Sequence, residues 1–207
     1  MAVVMLKGVL MYNWRKMTNE QGNYVLKIRK EQNRPRHSLP HTVTEREYFH
    51  LSAACYEHKS IIGSSILRMI EFEDVILKAI NTTSEKICSY VFLPNHYHVL
   101  IKVDNVKTIL DMIFKIHRKI AIKWNKEDNL IGRKVWCNVM ESGIKCEKHF
   151  WSVMNYIHNN PVKHGYVNKW VGWPYSSAEV FIKNEGIEKT LFLWKKYDIS
   201  KMCQWDI

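Results

Sequence analysis

Two histidines and a tyrosine–asparagine pair are the residues of this sequence whose types and spacing suit chemistry. His96 and His98 lie two residues apart in HYHVLIKV, a stretch typical of a β-strand. Because side chains alternate along a strand, both imidazoles are expected on one face, where they can bind one divalent metal ion. Polar surface on an ordinary strand is the alternative interpretation of this pair.

Tyr156 and Asn160 are four residues apart in a segment with helical character, which puts them on one helix face, one turn apart. A carboxamide oxygen and two imidazoles together make a mixed N/O site with open positions, suited to Mg²⁺ or Mn²⁺ on a phosphate oxygen. Tyrosinate formation at pH 7 costs about 4 kcal/mol, which a metal ion can offset. The alternatives are a packing tyrosine and an asparagine that ends its helix before Pro161.

The charge of the chain indicates a polyanionic partner. Of the 207 residues, 31 are Lys or Arg and 20 are Asp or Glu, a formal net charge of +11. Such an excess favours nucleic acid, with solubility charge as the alternative. No apolar run reaches about 18 residues, so no membrane helix is expected. No basic amphipathic helix has a continuous apolar face suited to lying flat, which makes a membrane surface a less favoured partner than nucleic acid. The five cysteines are scattered without a disulfide framework, which fits a reducing cytosol.

Hydrophobic periodicity predicts an α+β fold, because the tight hairpin requires an antiparallel strand pair. The predicted elements are a strand from Tyr48, a helix over 65–81, a hairpin of strands 87–93 and 96–103 around Pro94-Asn95, a helix over 106–124, a strand over 133–139, a helix over 146–159 that ends near Asn160, and a short helix after WPYSS. We expect three regions: a basic arm over 1–44, serving as a linker or a DNA strap, a domain over 45–180, and a tail over 181–207.

Several motifs of the chain resemble a known family. FLPNHYHVLIKV resembles the metal-binding hairpin of the single-tyrosine HUH transposases, and NYIHNNPVKHGYV resembles the catalytic helix of their REP-associated tyrosine transposase branch. WPYSS at 173–177 and the pair Trp124-Asn125 are similar to further segments of that family. The order and spacing match over roughly residues 45 to 180.

The resemblance implies a ferredoxin-like antiparallel sheet with helices packed on it and the HUH hairpin at the active site. It implies that Tyr156 is the nucleophile and that His96, His98 and Asn160 bind Mg²⁺ or Mn²⁺. The substrate would be single-stranded DNA with hairpin or repeat ends, cleaved to a 5′-phosphotyrosine and a free 3′-OH and then rejoined. A prokaryotic cytoplasmic, nucleoid-associated enzyme is expected, either as a monomer or as a homodimer.

The basic residues near these motifs are candidates for DNA contacts. Lys115, Arg118 and Lys119 share one helix face, and Lys163 follows the predicted catalytic helix. They are predicted to bind phosphates, with a solvated helix face as the alternative. Trp136 either stacks on a base or belongs to the core.

Two other functions fit the same residues. One is a domesticated protein that binds hairpin DNA without transposing it, and the other is a metal nuclease that activates water. Nucleases of that kind usually use several carboxylates, and no acidic cluster accompanies His96 and His98.

Overall fold

The computed structural model describes residues 46–197 continuously, together with Thr18, Glu20, Lys27 and Ile199. Most of the predicted arm over 1–44 and the end of the tail lie outside the described residues. The strands are β1 (Tyr48–Ala54), β2 (Lys86–Phe92), β3 (His96–Lys102) and β4 (Met140–Gly143). The helices are α1 (Ile66–Thr83), α2 (Val106–Glu127), α3 (Glu147–Lys163), α4 (Ala178–Glu185) and α5 (Ile187–Lys196), and two 3-10 turns, Tyr56–His58 and Ile62–Ser64, precede α1.

The four strands form one antiparallel sheet in the order β2-β3-β1-β4. With the chain order β1-α1-β2-β3-α2-β4, this is the ferredoxin-like arrangement, and the predicted α+β class is confirmed. The hairpin closes with a hydrogen bond from Leu93 N to His96 O at 2.8 Å. The return strand β3 pairs with β2 on one side and with β1 on the other, which puts it in the middle of the sheet. His98 lies opposite Ser52 on β1 and Val91 on β2.

Strand alternation divides the molecule into two packed layers. Tyr97, Val99 and Ile101 of β3 pack with α1 and α2 in the larger core. Leu100 packs instead with Val153 and neighbouring residues of α3 in the second core. Burial of apolar side chains on both faces fixes the register, since a shift of one residue would exchange the two faces. His96 and His98 consequently face α3.

Helix α3 does not end near Asn160, as the proline had predicted, but continues to Lys163 with Pro161 inside it. Proline disfavours helical backbone geometry for the residue before it, and the prediction gave this restriction too much weight in the last turn. The carbonyls of the last turn accept hydrogen bonds from the residues that follow it. His164 N donates to Asn160 O at 3.1 Å, and Tyr166 N donates to Pro161 O at 2.9 Å. The chain then turns at Gly165, whose φ of 72° favours glycine.

The prediction of a strand over 133–139 was also wrong, because the paired strand is Met140–Gly143. The earlier segment has only an isolated bridge between Cys55 and Trp136. Trp136 keeps that one pairing, while its half-buried side chain packs against the larger core, where its ring stacks on His117 at 4.0 Å and its Nε1 donates to His117 O. The core interpretation of Trp136 is thus confirmed.

The WPYSS segment covers the outer edge of β2. Phe92 N donates to Tyr175 O at 2.9 Å, and Ser177 N donates to Tyr90 O at 3.0 Å. This pairing blunts an exposed strand edge. The short helix predicted after it is α4.

The segment after α4, to which the sequence assigned no element, forms α5 and packs on α3. The buried Asn155 donates from Nδ2 to the carbonyls of Leu193 and Tyr197, at 3.0 and 2.8 Å. This bond pair fixes α5 against the helix that carries Tyr156. Among the described residues, no helix has both the length and the apolar character to cross a membrane.

Candidate metal and tyrosine site

Strand β3 and helix α3 bring the four predicted site residues together. His96 Nε2 lies 3.0 Å from Asn160 Oδ1, and the rings of His98 and Tyr156 are 5.3 Å apart and nearly perpendicular. All four side chains are buried. The histidine pair on the strand and the tyrosine–asparagine pair on the helix therefore lie together at one place.

The turn before β3 determines which nitrogen of His96 carries the proton. Asn95 Nδ2 donates to the carbonyl of His58 at 3.1 Å, so Asn95 Oδ1 is turned toward His96 Nδ1, 2.7 Å away. A carboxamide oxygen only accepts hydrogen bonds, so Nδ1 of His96 is the donor. In the neutral imidazole, Nε2 then has a lone pair directed at Asn160.

Two acceptors consequently face each other at the His96–Asn160 contact. Burial lowers the pKa of His96 to about 3, with a smaller contribution from electrostatic repulsion by the nearby His164. The His96 imidazole is therefore neutral near pH 7. A cation between the two atoms would satisfy both lone pairs. Adjacent ligands of an octahedral ion, each about 2.1 Å from it, lie about 3 Å apart. The donor chemistry of this pair therefore fits a divalent metal ion.

His50 of β1 completes the surroundings of His98. Its Nε2 lies 3.1 Å from His98 Nδ1, and its ring is 6.2 Å from that of Tyr156. Burial, followed by electrostatic repulsion from His96 and His50, holds the pKa of His98 well below its usual range. With Nδ1 engaged by His50, Nε2 of His98 is the atom that could bind a metal ion.

Sequence reasoning missed His50. Its alternation with Phe49 and Leu51 would have placed it on the face opposite the larger core. Nothing local indicates that β1 pairs with β3, so the proximity to His98 follows only from the sheet order.

Tyr156 holds its hydroxyl in an unusual setting. The hydroxyl oxygen is buried and makes no hydrogen bond with any residue that the structure describes. Leaving a buried hydroxyl without a hydrogen bond costs about 1–3 kcal/mol. A cost of this size at a native site calls for a functional explanation. The ammonium of Lys163 lies 5.3 Å from the centre of the ring, which favours negative charge on this side chain.

The ligand types in the described part of the chain restrict what could complete a metal site. No group of three His, Cys, Asp or Glu residues there could hold an ion. A site at His96 and His98 therefore needs a ligand of another type, and the Asn160 carboxamide is in position to supply it.

The predicted DNA-binding residues divide between two places. Lys163 lies in the site, beside Tyr156. Lys115, Arg118 and Lys119 are exposed on α2, which packs in the layer on the other face of the sheet. The structure does not bring these three to the site, and their role in DNA binding stays a prediction.

Comparison with known proteins identifies two similar ones, while no family model matches the chain. A Haemophilus influenzae protein named as a REP-associated tyrosine transposase is 31% identical over 107 residues, which cover 45% of this chain and 58% of that protein. The match thus spans less than two thirds of the relative's length.

The second is a solved structure of a REP-associated tyrosine transposase bound to a REP hairpin. It superimposes with a TM-score of 0.54 at 20% identity and covers 70% of this chain and 85% of that one. This likeness supports the ferredoxin-like fold. Together with the sequence match, it confirms the resemblance of this chain to the REP-associated tyrosine transposases.

Proposed function

From this confirmed resemblance, we propose that the chain cleaves and rejoins single-stranded, hairpin-bearing DNA through a 5′-phosphotyrosine on Tyr156. The observation that carries the proposal is the meeting of β3 and α3, which sets the buried Tyr156 against His98 and Asn160 against His96. The proposal assigns His96, His98 and Asn160 as ligands of Mg²⁺ or Mn²⁺.

The reaction balances without an additional energy source. Tyr156 Oη forms a bond to the phosphorus, and the bond from phosphorus to the 3′ oxygen breaks. The tyrosine hydroxyl loses its proton, and the departing 3′ oxygen gains one to become the free 3′-OH. Attack by a 3′-OH on the phosphotyrosine reverses these changes and joins strands. One phosphodiester is exchanged for another, so no ATP is required.

The residues of the chain divide the work of this reaction. A bound Mg²⁺ or Mn²⁺ supplies polarisation of the phosphate and stabilises charge on the leaving oxygen. Asn95 and His50 hold the two imidazoles through their Nδ1 atoms. Lys163 places a positive charge near Tyr156, where it favours the phenolate and attracts the phosphate.

The assignment of hairpin DNA as substrate rests on the likeness to the hairpin-bound structure and on the net charge of +11. Lys163 would contact phosphate at the site, whereas Lys115, Arg118 and Lys119 would contact DNA only where it reaches the opposite layer. A homodimer and a nucleoid-associated, cytoplasmic location remain part of the proposal.

Two alternative functions fit these residues less well than the proposed one. A domesticated DNA-binding protein would have no reason to keep all four of His96, His98, Tyr156 and Asn160 in contact. A nuclease that activates water usually relies on several carboxylates, and no such cluster is found among the described residues.

The three functions separate on a denaturing gel. The protein is incubated with end-labelled, hairpin-bearing single-stranded DNA and Mn²⁺, alongside the Tyr156→Phe and Tyr90→Phe variants. Tyr90→Phe is the control, because Tyr90 is half-buried and packs against the larger core, on the face of the sheet opposite Tyr156. A covalent adduct in the wild type and the control, lost in Tyr156→Phe, supports the proposal. Cleavage without adduct indicates the nuclease, and binding alone indicates the domesticated protein.

A further inference from the structure

Beyond α3, three aromatic rings lead away from the site. His164 packs its ring against His96 at 4.8 Å, Tyr166 follows at 6.5 Å from His164, and Trp173 lies 5.1 Å from Tyr166 at an interplanar angle of 35°. We call His164, Tyr166 and Trp173 the aromatic ledge. It begins in contact with the candidate metal site.

The ledge is held rigidly by the fold. Trp173 Nε1 donates to Phe92 O at 2.7 Å, which fixes the indole to the end of β2. The backbone of Tyr166 is fixed to the end of α3 through its hydrogen bond to Pro161 O. A preorganised ring loses little conformational entropy when a ligand stacks on it.

The outer ring of the ledge is open to solvent. Tyr166 is 40% exposed, whereas Trp173 is half-buried behind it and packs against both cores. Lys163 and the exposed Lys169 lie on either side of Tyr166 in the chain. An exposed ring flanked by cations matches single-stranded nucleic acid, whose bases stack and whose phosphates are anionic.

We propose that the aromatic ledge binds the unpaired nucleotides next to the scissile phosphate, with one base stacked on Tyr166 and Trp173 supporting that ring from behind. This inference rests on the proposed function for the identity of the strand. Because every base has a π face, the ledge tolerates different sequences and recognises the unpaired state of the strand.

The test measures binding without cleavage. Fluorescence anisotropy in the absence of divalent metal compares a hairpin with single-stranded flanks and the same hairpin with blunt ends. Tyr166→Ala and Tyr166→Leu should weaken binding of the flanked hairpin about tenfold, and Tyr166→Phe should retain it. Phe114→Ala, which removes a half-exposed ring from α2 in the opposite layer, is the matched control and should bind as the wild type does.

A second measurement locates the stacked base. With 2-aminopurine placed in turn at each flanking position, one position should be quenched by the wild type and regain its fluorescence with Tyr166→Leu. Wild-type affinity of Tyr166→Leu for the flanked hairpin would overturn the ledge, as would an equal loss for the blunt one. An adduct that persists in Tyr156→Phe would overturn the proposed function alone, since the binding assay involves no cleavage.

Discussion

His96 and Asn160, which are 64 residues apart in the chain, meet with Nε2 and Oδ1 3.0 Å from each other in the interior of the protein. The hydrogen bond between Asn95 and His96 Nδ1 leaves a lone pair on Nε2, so both atoms of this contact are acceptors. A bound divalent cation would satisfy both atoms, and this relationship links the local structure to the proposed chemistry.

Removing the carboxamide should therefore weaken metal binding. We expect Asn160→Ala to lower the affinity for Mn²⁺ by more than about tenfold, because the ion loses an oxygen ligand. Isothermal titration with Mn²⁺ on the DNA-free protein measures the change. Asn159→Ala, which alters the neighbouring half-buried asparagine, should bind Mn²⁺ as the wild type does. Equal affinities for Asn160→Ala and Asn159→Ala would exclude Asn160 as a ligand.

Asn95 should act on the metal through His96. Asn95→Ala removes the acceptor from Nδ1 of His96, and we expect Mn²⁺ affinity to fall by about 10–100-fold. Asn95→Asp keeps the acceptor while losing the donor to His58 O, so it should largely retain Mn²⁺ binding. Nitrogen-15 NMR of the histidines reports the tautomer directly. An unchanged His96 tautomer in Asn95→Ala would contradict the assigned role.

His50 should position His98 in a similar way. His50→Phe preserves an aromatic ring beside Tyr156 but removes the nitrogen that lies 3.1 Å from His98 Nδ1. We expect about a tenfold loss of Mn²⁺ affinity with little change in urea unfolding. A loss of folding stability with unchanged metal affinity would instead make His50 a packing residue.

The sequence predicted the parts of the site, and the fold had to supply their meeting. Alternation along β3 put His96 and His98 on one face, and helical spacing paired Tyr156 with Asn160, since both rules are local. The contact with His50 depends on the sheet order, in which β1 and β3 are neighbours although an entire helix and strand separate them. No local pattern contains that information.

The errors in element boundaries have the same origin. Pro161 was expected to stop α3, but hydrogen bonds from the residues after it complete the last turn. Trp136 was expected within a strand because its neighbours are apolar, yet the segment forms only an isolated bridge with Cys55, and the Trp136 ring stacks on His117 in the larger core. In both places a tertiary contact outweighs the local preference.

Acid should destabilise the fold through buried neutral histidines such as His117. Burial lowers its pKa in the folded protein to about 3, while the unfolded chain titrates near 6.5. Between these values the unfolded chain binds more protons, so stability is lost as the pH falls from about 6.5 toward 3. One such group contributes a slope of up to about 1.4 kcal/mol per pH unit.

Urea unfolding at several pH values between 7.5 and 4 measures this slope. His117→Gln should show a shallower dependence on pH than the wild type, whatever its absolute stability, because one titrating group has been removed. Parallel curves for the two proteins would show that His117 does not contribute to the acid response.

Identifying the residue that becomes joined to DNA tests the proposed nucleophile most directly. Adduct formed with hairpin-bearing single-stranded DNA and Mn²⁺ is trimmed with nuclease, digested with trypsin and analysed by mass spectrometry. Tyr156 is the sole tyrosine in the tryptic peptide HFWSVMNYIHNNPVK, and the next peptide, HGYVNK, contains Tyr166. We expect a nucleotide mass on the first peptide, located at Tyr156. A nucleotide on any other residue, or DNA cleavage with no modified peptide, would contradict it.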